Sequence, residues 1–89
     1  MTALDQWFTW LAEDQAKSPH TIATYQRTWR TYPGDPLAAT LDDIETWWTS
    51  RRDRSVSTRR NELAALRSFY RWAVRYDLVH EDPTRRITP

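Results

Sequence analysis

The chain has 89 residues, 39% of them hydrophobic and 13% aromatic, with six Trp, no Cys and a formal net charge of +1. A domain this small buries roughly 60–65% of its unfolded surface, so the bulky aromatics supply apolar area that the short length would otherwise lack. With no Cys there are no disulfides or thiolate metal sites, His20 and His80 carry no ligand spacing, and no apolar run reaches membrane-spanning length or resembles a signal peptide.

These exclusions predict one cytoplasmic domain over residues 1–89, with no cofactor, no metal and no membrane partner. Thr2-x-x-Asp5 is a capping pair that opens a first helix carrying Leu4, Trp7, Phe8 and Leu11 at helical spacing. Ser18-Pro19 opens a second, with Ser as N-cap and Pro at the first helical position, and Ile22, Tyr25 and Trp29 line one side of it. Tyr32-Pro-Gly-Asp-Pro36 is a breaker cluster. Thr40-x-x-Asp43 caps a third helix with Leu41, Ile44 and Trp48 inward. A polar turn from Ser50 to Arg54 leads to Ser55 and a fourth helix, whose core stripe is Leu63, Leu66, Phe69, Tyr70 and Ala73. Asp82-Pro83 is a second break, and Thr84 to Ile87 reads as a short C-terminal turn or the first turn of a truncated fifth helix. Nothing alternates with period two long enough to be a strand. The fold class expected is all-α, a four-helix bundle.

Charge is unevenly placed. Between Arg51 and Arg75 eight arginines meet two acids, Asp53 and Glu62, whereas the first fifty residues hold Lys17, Arg27 and Arg30 against seven acids. Such an asymmetry points to a polyanionic partner. At about 100° per residue, the fourth helix presents Ser57, Arg60, Asn61, Ala64, Arg67, Ser68, Arg71 and Arg75 away from its core stripe. Arginine pairs bidentately with phosphate or guanine, asparagine with adenine, and a small residue permits close approach. The second helix turns out His20, Thr24, Arg27 and Thr31, with Arg30 at the edge. Ser18-x-x-Thr21 and Ser55-x-x-Thr58 open the two helices alike, either as ordinary N-caps or as paired phosphate grips. A charged outer face is also what a merely solvated face looks like. Trp7, Trp29 and Trp48 read as core, while Trp10, Trp47 and Trp72 fall on the flanks of their helices. No catalytic constellation is present.

Ser18-Pro-His-Thr21-Ile-Ala-Thr-Tyr25, Leu41-Asp-Asp-Ile44-x-x-Trp47-Trp48, Ser55-x-x-Thr58-x-x-x-x-Leu63-x-Ala65-Leu66-Arg67-Ser-Phe69-Tyr70 and Asp82-Pro83-Thr-x-x-Ile87 follow in order over essentially the whole chain. Together they resemble the N-terminal core-binding, SAM-like domain of phage-integrase-type tyrosine recombinases. The resemblance implies a helical domain forming half of a clamp on double-stranded DNA, with the second and fourth helices facing the core recombination site. Thr21, Thr58, Arg60, Asn61 and Arg67 match the family's DNA face; Arg27 and Arg71 follow from helical phase alone, and His20, Thr24 and Ser57 complete the set. The family commonly has Asn-Pro where this chain has Asp82-Pro83, and Gly near Asp77. The resemblance further implies a catalytic domain of the same polypeptide following Ile87, so that this chain alone should cut nothing, and contact with other copies on DNA. Two other readings stay open on the residues. One is a helical protein-interaction domain docking through the flanking tryptophans, and the other is a free-standing helix-turn-helix regulator.

Overall fold

A computed structural model of the chain describes residues 2–88. Four α-helices follow one another: α1 (Ala3–Glu13), α2 (Pro19–Trp29), α3 (Leu41–Ser50) and α4 (Val56–Arg75), with a 3-10 turn at Pro36–Ala38 before α3. No strand occurs among the described residues, and the fold is all-α.

Each helix start has a local chemical cause. In α1 the Asp5 N–H donates to Thr2 Oγ1 and the Thr2 N–H to Asp5 Oδ2, both at 3.1 Å. Thr40 and Asp43 repeat this reciprocal arrangement at α3, at 2.9 and 3.1 Å. Two otherwise orphaned backbone donors are thereby satisfied at each end. Ser18 and Ser55 cap α2 and α4, each Oγ accepting the N–H three residues on at 3.1 Å. The end of α4 turns through Asp77, whose φ of 60° is left-handed. Asp77 N–H donates to the Val74 carbonyl at 3.1 Å and Leu78 N–H to the Ala73 carbonyl at 2.8 Å, a Schellman closure.

Phe69 is the hub of the core. The rings of Trp29, Tyr70, Trp7 and Trp72 lie 5.0, 5.1, 5.4 and 5.7 Å from it, mostly edge-on or tilted. Such pairs contribute about 0.5–1.5 kcal/mol each beyond area burial. Three tryptophan assignments change. Trp47, not Trp48, joins Ile44 in the buried core, and Trp48 is half-buried beneath the Arg59 guanidinium, 4.1 Å from its ring centroid. The two indoles lie on opposite sides of the Ile44 line, so helical phase alone does not say which one is enclosed. Trp72, expected on a flank, is also buried in the core.

The segment after α4 forms a turn docked on the core. Asp82 Oδ1 accepts both the Thr84 N–H at 2.8 Å and the Thr84 hydroxyl at 2.6 Å. Thr84 is fully buried and Ile87 belongs to the core cluster. Tyr70 ties in the 3-10 turn by donating its hydroxyl to the Pro36 carbonyl at 2.8 Å. Burial pushes its phenol well above the ordinary value, so it stays a donor.

Candidate nucleic-acid interface

On α4, Arg60, Ala64, Arg67, Arg71 and Arg75 fall within roughly 80° of arc at 3.6 residues per turn. They form one wall of a groove of about 550 Å³, closed on the other side by Trp10, Gln15, Lys17 and Tyr25. Tyr25 is held there by stacking on Trp7, with centroids 5.5 Å apart and planes 8° from parallel. Five cations and no acid line this groove. Ala64, exposed between the arginines, leaves room for a ligand to approach the helix backbone. Lys17, the chain's single lysine, escaped the sequence reading because it stands in a connection with no periodicity to assign it a face.

A second, smaller hollow of about 200 Å³ lies between α2 and the start of α4. It brings together Thr24, Arg27, Thr58 and Asn61, four of the residues selected from the sequence, beside Thr28, Thr31, Arg51 and Glu62. His20 and Ser57 are exposed at the helix starts, Thr21 is half-buried there, and all three lie outside both hollows.

The hydroxyls are already engaged. Ser18 Oγ donates to Thr21 Oγ1 at 3.0 Å and Ser55 Oγ to Thr58 Oγ1 at 2.9 Å, so the two echoing motifs are matching N-caps. Thr24 and Thr28 return their hydroxyls to the carbonyls four residues back, at 3.0 and 3.3 Å. Thr31 Oγ1 donates to the Thr28 carbonyl at 2.7 Å. Thr24 and Thr28 on α2, and Thr31 just beyond it, therefore satisfy their hydroxyls on nearby backbone carbonyls.

The arginines divide by role. Arg51 donates through Nε to Glu62 Oε1 at 3.2 Å and through Nη2 to Glu62 Oε2, a forked pair, and its guanidinium lies 5.9 Å from the Trp47 ring. Arg59 covers Trp48. Arg54 makes an exposed contact with Asp53 at 3.8 Å, of the kind that contributes little. Arg67 is half-buried and donates to the Ile87 carbonyl. Arg27, Arg60 and Arg71 are exposed and form no ion pair among the described residues, and neither does Arg75, which lies 5.8 Å from the Tyr76 ring. No cluster of His, Asp and Glu suited to a metal ion occurs among the described residues, and no described helix is long and apolar enough to cross a membrane.

Comparison with known proteins bears on this arrangement. The chain is 28% identical over 101 residues to the tyrosine recombinase XerC of Rhodospirillum centenum, covering 97% of this chain and 30% of that protein. It is 30% identical over 97 residues to the tyrosine recombinase XerC of Lactobacillus delbrueckii subsp. bulgaricus, covering 98% of this chain and 33% of that protein. It thus spans about a third of the length of the curated relatives it matches. No solved structure matches it significantly. Residues 4–77, which take in α2 to α4 and all of α1 but its first residue, match the N-terminal SAM-like domain of phage integrases, and the chain belongs to that family.

Proposed function

We propose that this chain is the DNA-binding module of a tyrosine recombinase, and that α2 and α4 face double-stranded DNA as one half of a clamp. The observation that carries the reading is the α4 groove, where five cations converge with no acid among the lining residues. A duplex presents a dense row of phosphates, and unpaired guanidiniums beside a small residue are suited to follow it. Arg60 and Arg71 serve as phosphate contacts, with Arg67 between them. Arg27, Thr24, Thr58 and Asn61 extend the contact across the second hollow, and Asn61 is the side chain able to read a base edge. His20, Thr21 and Ser57 flank it at the helix starts, where backbone donors favour an anion. The recombination chemistry belongs to a catalytic domain of the same longer polypeptide, as the relatives' names and lengths suggest, and copies of the chain meet on the DNA.

A ¹H–¹⁵N titration with a short DNA duplex at two salt concentrations tests this. Expected are salt-sensitive shifts at Arg60, Arg67, Arg71 and the starts of α2 and α4, with affinity roughly in the 10⁻⁴ to 10⁻⁶ M range of non-specific binding. Arg60→Ala and Arg71→Ala should each weaken binding about five- to tenfold. Unchanged affinity in both variants would remove the site. Of the three tryptophans on which the docking alternative rests, Trp47 and Trp72 lie in the core and Trp10 is half-buried.

A further inference from the structure

Among the described residues, Arg67 is the one groove cation whose side chain hydrogen-bonds to another part of the protein. Its side chain lines the α4 groove beside Arg60, Arg71 and Lys17, and its Nη2 donates to the carbonyl of Ile87, twenty residues on. Ile87 is not a loose end. Its side chain is 5% exposed in the core and its N–H donates to the Thr84 carbonyl at 3.0 Å. Thr84 in turn is fixed by Asp82, and Arg85 N–H donates to the Asp82 carbonyl at 3.2 Å. The last described stretch therefore forms a small folded unit, and the guanidinium that holds its carbonyl stands in the proposed DNA groove. A guanidinium has five donors in a planar fork. One goes to Ile87, and the others meet no protein acceptor among the described residues.

We propose that Arg67 is a positioning residue that bridges a DNA phosphate and the Ile87 carbonyl, so that duplex binding in the groove orders the segment by which the chain leaves the α4 bundle. This rests on the DNA-binding reading for its second half only; the hold of Arg67 on Ile87 stands without DNA. The bridge follows from donor geometry. The phosphate occupies the groove-facing edge of the fork while the carbonyl keeps the other, and two acceptors on one cation hold it more firmly than one. Lysine offers a point charge on a flexible stem and cannot hold two acceptors in fixed directions as the planar fork does.

The test compares amide exchange and ¹⁵N relaxation of Thr84, Arg85 and Ile87 in the 89-residue chain, free and with a short duplex, for the wild type and for R67A, R67K and R71A. Core amides of Leu66 and Phe69 report global stability in each sample. In the free protein, Arg67→Ala should speed exchange at Thr84, Arg85 and Ile87 about threefold or more relative to the core amides, and Arg71→Ala should not. Saturating duplex should slow the same amides in the wild type and in Arg71→Ala, which only needs more DNA to saturate. It should leave them unmoved in Arg67→Ala and largely unmoved in Arg67→Lys. Tail amides that exchange alike in free wild type and Arg67→Ala would overturn the tether. A duplex that binds the wild type without slowing them would overturn the bridge while leaving the DNA-binding reading intact. A wild type that binds no duplex would overturn that reading and the bridge together, with the free-state comparison still deciding the tether.

Discussion

Glu62 is one of only two acids among the arginines of residues 51–75, and folding leaves its side chain 6% exposed against Arg51 at 16%. Removing one member of such a pair leaves the other's charge in a poorly solvated place, and the more deeply buried member suffers more. Arg51→Ala, which strands Glu62, should therefore destabilise the domain by about 3 kcal/mol, and Glu62→Gln by less, about 1 kcal/mol, because the amide still accepts a hydrogen bond. Urea unfolding of the two variants checks the order, and equal losses below about 0.5 kcal/mol would place the pair among the solvated kind. Asp77 poses the opposite case, a residue that fits its place badly. Its φ of 60° favours glycine, and its carboxylate stands at the negative end of the α4 dipole. Asp77→Gly should raise stability by about 0.5–1 kcal/mol, or a few degrees in Tm, and Asp77→Asn by part of that through the charge alone. A loss of stability in both would mean that the Asp77 carboxylate has a partner that outweighs the strain.

At the scale of the helix, the caps were the most legible feature of the chain. Thr2 with Asp5, Ser18 before Pro19, Thr40 with Asp43, and Ser55 mark all four starts in the sequence, since each motif is local and needs only its own backbone. Ser55→Ala should accordingly cost about 1 kcal/mol. In α1, hydrogen bonds from the Thr2 backbone and hydroxyl hold the Asp5 carboxyl below its ordinary value of 3.8. A lowered carboxyl value means the cap is fully effective above the ordinary range and is lost as pH falls through the lowered one. Thr2→Ala should move the Asp5 titration midpoint upward, as ¹³C-detected NMR would record; an ordinary midpoint in the wild type would contradict the capping box. Less legible was what depends on two elements meeting. Trp47 and Trp48 are both close enough to the Ile44 line to point inward, and sequence phase alone could not separate them. The partners of Arg51, Arg59 and Arg67 lie on or beyond other elements, so nothing local in the sequence pointed to them, and helical phase showed Arg67 only as an outward charge. The docking of Thr84 and Ile87 was hidden for the same reason, in a segment too short to show a period.

Across the whole molecule, the positive charge that the sequence concentrates in one segment is redistributed by folding. Arg51 is neutralised by Glu62, Arg59 lies over Trp48, and Lys17 arrives from the α1–α2 connection to join Arg60, Arg67, Arg71 and Arg75 along one groove. With Arg27 in the adjoining hollow, about five or six cations remain to meet phosphates, a different set from the eight arginines of the sequence segment though similar in size. Each neutralised phosphate releases counterions and contributes about −0.9 to the slope of log K against log salt. If five are engaged, duplex affinity should fall with a slope of about −4 to −5, and an Arg60→Gln, Arg71→Gln double variant should reduce it by about 2. Arg54→Gln should leave the slope unchanged, because Arg54 lies outside both the groove and the adjoining hollow. A wild-type slope shallower than about −2 would mean that the groove cations face solvent and not phosphate. An equal loss of slope for Arg54→Gln would mean that net charge, and not the groove, attracts the duplex. Net charge alone, at +1, is far too small to produce the expected slope, so the measurement separates an organised cationic surface from a merely basic segment.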